Sequence, residues 1–214
     1  MSISFPLSLD AFADAYKVTD CSLVLAWQQE SSGAGGGQVL YADRAPALWA
    51  GTVTLADMPL AAAEGAHALL NALAGGLNTL LLYNFRGGKY PSSDPDGSIF
   101  GAATPVVGTL ADRFHSTFTG FPVGYVIPAG TYVQIIYNTS HYYLGQFVEA
   151  ATADGSGDVA SVCLAPALPA SISGGEAVTV IKPAALFRVM PGSVKPVLST
   201  SLTEKLSFDV KQAI

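Results

Sequence analysis

Cysteine, histidine and charge are scarce in this 214-residue chain, which has two cysteines, three histidines and a charged fraction of 12%. Each scarcity removes a class of function. Cys21 and Cys163 lie far apart and neither belongs to a Cys-x-x-Cys pair, so they read as reduced, buried thiols and no cysteine-ligated metal site is expected. His67 sits on a helical stretch beside Glu64, with no His-Glu-x-x-His pattern to hold zinc. His115 lies near Asp112 among serines and threonines, but no Gly-x-Ser-x-Gly elbow exists, and these residue types co-occur by chance. The chain is therefore not expected to be an enzyme or to hold a cofactor. Ten Lys and Arg against 16 Asp and Glu give a net charge of -6, which offers phosphates no overall attraction, so no specific nucleic-acid binding is expected. Long apolar runs are missing too. Asn78, Asn84 and Arg86 break the richest one short of the roughly 18 to 20 residues that span a bilayer. The start, Met1-Ser-Ile-Ser-Phe-Pro, has neither the basic residues nor the apolar core of a signal peptide, and signal-directed export is not expected.

Apolar character is abundant. Hydrophobic residues make up 50% of the chain and the mean hydropathy is +0.40. With no membrane span to absorb it, that surplus is expected to be buried between subunits. The organising stretch reads strand, helix, strand. In residues 49–55, Trp49, Val53 and Leu55 alternate with Ala50, Thr52 and Thr54, the period of a half-buried strand. Asp57 is placed to cap a helix with Pro59 in its first turn, and Gly75-Gly76 to stop it. Between them Ala62, Ala66, Leu69, Leu70 and Leu73 make one apolar stripe. Residues 77–85 then read as a strand beneath the helix.

Before this unit, Ile3, Phe5, Leu7 and Leu9 alternate in a short arm kept extended by Pro6, suited to lying on a neighbouring subunit. Residues 22–28 read as a strand with 38–42 as partner, joined by a flexible glycine-rich tip with no phosphate-binding lysine or helix beside it. Residues 86–98, including Arg86 and Lys89, are turn formers and read as a long loop. Asp94 and Asp96 lack the later acidic ligands of a calcium loop. From about 105 to 182 short strands follow closely: 125–127, 131–137, 141–149, 158–164 and 176–181, with a tight reversal at 154–157. That spacing suggests a small β-barrel. Residues 185–190 and 204–210 return to the first style. The fold class is thus mainly β (α+β), with the barrel at 105–182 inserted into a domain made of 1–104 plus 183–214.

Several ordered pieces resemble the distal tail proteins of long-tailed bacteriophages: residues 1–9, the strand at Trp49 running into 56–64, residues 130–135, the hairpin at 153–157, the strand 186–189 and the ending 206–214. Each piece is short, and the resemblance lies in their order along nearly the whole chain. It implies a tail-tube-like β-sandwich with one packed helix and an added β domain, assembled as a hexameric ring in the virion tail. Such a ring joins the tail tube protein to a tail tip or hub protein, with the tape-measure protein a further candidate partner, and leaves a channel for DNA. The implied intersubunit contacts are Ile3, Phe5, Leu7 and Leu9. Two isolated cysteines do not fit the neighbouring tip proteins that carry an iron–sulfur cluster. The alternative reading is a carbohydrate-binding module, with Tyr132, Tyr137, Tyr142 and Tyr143 as stacking platforms and His141 in the same aromatic-rich stretch.

Overall fold

The computed structural model describes residues 3–33, 35–85, 89–200 and 202–213. Met1, Ser2, Ala34, Arg86, Gly87, Gly88 and Ile214, which enter the readings above, lie outside the described residues. The chain begins with an extended arm and a run of turns. It then enters β1 (Val18–Gly33), β2 (Val39–Leu55), β3 (Met58–Pro59), α1 (Leu60–Ala72) and β4 (Leu80–Tyr83). The middle of the chain holds β5 (Val106–Leu110), β6 (His115–Thr119), β7 (Val126–Ile127), β8 (Tyr132–Tyr137), β9 (His141–Phe147), β10 (Ala151–Thr152), β11 (Val159–Ala165) and β12 (Ala177–Thr179). It ends with β13 (Ala184–Val189), β14 (Lys195–Leu198) and β15 (Thr203–Gln212). The architecture is mainly β with one helix and a small closed barrel, as expected.

Strands from both ends of the chain make one seven-stranded sheet in the order β1-β2-β15-β13-β4, with β3 and β14 also paired to β15. The register aligns apolar residues in rows. Val53 stands between Cys21 and Phe208, and Val210 lies between Gly51 and Val189. Gly51 is needed where it stands, because a Cβ there would collide with the Ser22 carbonyl oxygen. The face carrying Trp49, Val53, Leu55, Leu206, Phe208 and Val210 is buried, while Ser22, Thr52, Ser207 and Asp209 alternate on the opposite face. Onto the buried face pack α1 and the turn segment after the arm, where Phe12 meets Phe208 edge-on at 5.8 Å.

The helix differs from expectation at its start and in its stripe. Asp57 does not cap it. β3 pairs with Thr203 and Glu204 of β15 and holds the chain extended up to Pro59, while Asp57 accepts a hydrogen bond from the Ser199 hydroxyl at 2.5 Å. The buried residues are Ala63, Ala66 and Leu70, followed by Leu73. Ala62 is exposed, because three successive alanines give the first turn no apolar contrast to fix its rotation. Ala74 and Gly75 both adopt positive φ, and the Asn78 amide donates to the Ala72 carbonyl at 3.1 Å. The chain is therefore still turning at Leu77, which is exposed, and β4 starts three residues later than expected.

The reading of residues 38–42 and 49–55 as separate strands is corrected: both belong to β2. A short tip pairs Gly33 with Val39, and the ladder then runs without a break to Val18 and Leu55 apart from three irregularities. Two of these flank Gln28, opposite the stretch with Pro46, whose missing N–H a regular ladder would need. The Gln28 side chain donates to the Pro46 carbonyl at 2.9 Å.

Six strands close the barrel in the order β11-β6-β5-β12-β8-β9. β7, expected among them, pairs instead with β10 outside it. The tight turn before β11 is held by Asp154, whose carboxylate accepts the Ser156 and Asp158 amides at 2.8 and 2.9 Å. The inside is a second core around Phe118, Phe147, Ile127 and Leu164. The barrel is also tied into the sheet: Tyr132 and Leu144 belong to the sheet's core, the Trp49 indole donates to the Leu144 carbonyl at 2.7 Å, and the Ala184 amide donates to the Gln134 side chain at 2.7 Å. Leu73 is fully buried where helix meets sheet, so Leu73→Ala is expected to lower unfolding stability by about 2 to 5 kcal/mol in a denaturant titration. A loss below roughly 0.5 kcal/mol would place the helix elsewhere.

Candidate interaction surface

The strongest candidate for function is a two-stranded ribbon. From Gln28 to Gly33, β1 pairs only with β2 residues Val39 to Ala45, and no third strand or helix among the described residues covers it. Every described side chain of this ribbon is exposed except Gln28, which is half-buried. Alternation places Val39 and Tyr41 on one face and Leu40 on the other, so both faces present apolar groups to water. Tyr41 is 69% exposed, and Trp27 at the root of the ribbon 58%. Polar cross-strand contacts set the register without covering these groups: Gln29 donates to Asp43 at 2.7 Å, and the Arg44 guanidinium Nε donates to Glu30 at 2.8 Å.

β1 ends the strand order of the main sheet, and among the described residues no strand pairs with its outer edge. At the far side of the sheet the edge of β4 is met by the arm: the Leu7 amide donates to the Thr79 carbonyl at 3.0 Å, and the Leu81 amide donates to the Leu7 carbonyl at 2.9 Å. The four arm residues therefore part company. Leu7 is 2% exposed in the chain's own core and Leu9 packs partly against that core, while Ile3 and Phe5 remain exposed. Asp14 fixes the turn that follows, accepting from Tyr83 at 3.2 Å and pairing with Lys182 at 2.7 Å.

The remaining sequence candidates scatter. His67 bonds Glu204 at 2.8 Å and ties the helix to β15. His115 contacts Asp112 at 2.9 Å on the barrel surface, where the amides of Phe114 and His115 also bond that carboxylate and hold it below the usual range. Asp94 is buried and accepts the Ile99 and Phe100 amides at 3.1 and 2.8 Å, so it organises its own loop. Of the four tyrosines, Tyr132 is core, against Trp49 at a ring distance of 5.5 Å, and Tyr143 is buried with its hydroxyl on the Pro166 carbonyl. Tyr137, Tyr142 and Tyr143 line a cleft of about 200 Å³ between barrel and ribbon root, joined there by Trp27 and Phe114.

Comparison with known proteins finds no matching family model and no matching curated protein. The geometry of the chain itself is therefore the basis for its reading. The ribbon and the cleft were invisible as sites in the sequence. Residues 39–41 read only as a short strand, and Trp27 and Phe114 are remote in sequence from the tyrosines they join.

Burial pushes the Cys21 thiol up to about 12, with a backbone hydrogen bond from Phe85 opposing the shift only in part. The thiolate is what reacts, so Cys21 is expected to resist alkylation at pH 8 in the folded protein and to react once denaturant is added. Equal labelling rates in both states would mean that β1 opens readily at its edge.

Proposed function

We propose that this chain is a structural virion protein: a subunit of a hexameric ring at the distal end of a bacteriophage tail, joining tail tube to tail tip and leaving a channel for DNA. The observation that carries the reading is the uncovered ribbon. A two-stranded hairpin is marginal on its own in water, and one with apolar groups on both faces gains by lying against another subunit. The long free edge of β1 offers the same subunit a row of backbone partners, and a closed ring leaves no such edge over.

The ordered likeness to distal tail proteins supports the same reading, as does the mainly β architecture with one helix and a barrel. In this account Ile3 and Phe5 are the arm's contributions to the neighbour, since Leu7 is already used within its own core. The tail tube protein and a tip or hub protein are the axial partners, with the tape-measure protein inside. The net charge of -6 suits a conduit that repels DNA phosphates and does not trap them. The protein would be made in the host cytoplasm and reside in the virion tail.

Leu40→Asp combined with Tyr41→Asp tests the reading. Both side chains are exposed, so circular dichroism and the unfolding midpoint are expected to stay near wild type. Sedimentation is expected to show subunits in place of the discrete ring that the wild type forms. A wild type that remains monomeric at all concentrations, or a double variant that assembles normally, would contradict the ribbon's role. Ile3→Asp with Phe5→Asp is expected to weaken assembly in the same assay, again with the fold intact.

A further inference from the structure

The cleft between the barrel and the root of the ribbon combines two features that the ring does not require. The first is a set of aromatic surfaces: Trp27 is 58% exposed, Phe114 is 47% exposed, and Tyr142, packed on one side against the sheet's core, is half-buried on the wall. The second is a group of solvent-accessible polar atoms that no other protein group engages. Among the described residues, the hydroxyls of Tyr137 and Tyr142 and the His141 ring, which lies 5.4 Å from the Tyr137 ring, make no hydrogen bond to another protein group. Asp43 uses one carboxylate oxygen on Gln29, and Gln212 uses its amide oxygen on the Trp49 amide, which leaves Asp43 Oδ2 and Gln212 Nε2 open. Donors and acceptors thus converge on an otherwise apolar hollow, the pattern of a small-ligand site.

The chemistry of the lining narrows the ligand. Among the described residues no lysine or arginine lines the cleft and Asp43 is the one carboxylate, so a phosphate, sulfate or acidic sugar would meet no countercharge and one repelling group from them. A purely apolar side chain would bury the open hydroxyls and amide without partners, at a cost. A neutral pyranose meets both features at once, because its axial C–H face lies flat on an aromatic ring while its equatorial hydroxyls radiate to donors and acceptors at the rim. The cavity of about 200 Å³ has room for a single sugar unit, and its open side lets a chain continue outward.

We infer that this cleft is a binding site for a neutral pyranose unit of a glycan, with Trp27 and Phe114 as stacking surfaces and Tyr142, His141, Asp43 and Gln212 as hydroxyl partners. This goes beyond the ring reading and does not rest on it. It moves the sugar contacts from the four barrel tyrosines to a composite wall that the barrel forms with the ribbon root.

The test uses the full chain and neutral trisaccharides of glucose, galactose and N-acetylglucosamine, followed by saturation-transfer NMR and by tryptophan fluorescence. Trp49 is buried, so the fluorescence response reports Trp27. At least one trisaccharide is expected to bind saturably, with its ring C–H protons receiving the saturation. Trp27→Ala is expected to weaken binding by about tenfold or more, as loss of an aromatic anchor does. Tyr142→Phe, which keeps the ring and its packing, is expected to weaken it by a smaller factor. Leu40→Asp with Tyr41→Asp should bind like wild type even where it fails to assemble, so failure of the ring reading and failure of this one are told apart. Absence of saturable binding by all three sugars up to about 10 mM would overturn the inference. So would binding that Trp27→Ala leaves unchanged, or Trp27 fluorescence already blue-shifted and shielded from quencher on self-association, which would assign the cleft to a second copy of the chain.

Discussion

A β-ribbon with water on both faces cannot bury apolar groups by itself, and this constraint governs the molecule. β2 meets it in two ways along one continuous strand. Its C-terminal half, from Trp49 to Leu55, lies between β1 and β15 and sends alternate side chains into the core beneath α1. Its N-terminal half has β1 alone and carries Val39, Leu40 and Tyr41 into solvent. The two halves form one continuous strand, so the covered half holds the root of the ribbon. In the proposed ring this anchoring lowers the conformational freedom lost when a neighbour covers the ribbon.

The same anchoring ties the barrel to the sheet. Trp49 fills the sheet's core, meets the Tyr132 ring at a tilt and bonds the Leu144 carbonyl, so one indole joins sheet and barrel. Asp14 and Lys182 close a second tie, between the turn after the arm and the end of the barrel segment. The barrel has an interior of its own, yet its β8–β9 wall completes the sheet's core, and the cleft lies where barrel and ribbon root meet.

Much of the fold was legible because the side-chain period survives wherever one face is buried. The strands around Trp49, Phe208 and Leu186 carry the period of two, and the helix between Pro59 and Gly75 carries an apolar stripe at helical spacing. The failures have local causes. Asp57 has the chemistry of a cap, but two ladder pairs to β15 kept the chain extended past it. Ala62 and Ala63 are alike to any pattern, and only packing decides which of them faces the sheet. Phe12 sits in a run of turns with no periodicity and becomes a core residue through contacts nearly two hundred positions away. The ribbon was hidden because residues 43–48, with Asp43, Arg44 and Pro46, carry no alternation that would join the strand read at 38–42 to the one at 49–55. Hydrogen bonding across the hairpin, with an irregularity at Gln28, makes them strand. The cleft could not be read at all, since Trp27, Phe114 and Tyr142 come from three separate parts of the chain.

In the proposed ring, the uncovered ribbon, the free β1 edge and the exposed end of the arm are three parts of one contact, while the helix and the inner sheet face supply stability within each subunit. The most direct measurement is an electron-microscope image of tail particles in which an epitope inserted between the exposed residues Gly155 and Ser156 is marked with antibody. The account predicts a ring of marks, six by symmetry, at the distal end of the tail tube. Unmarked tails, or marks scattered along the tube, would contradict it.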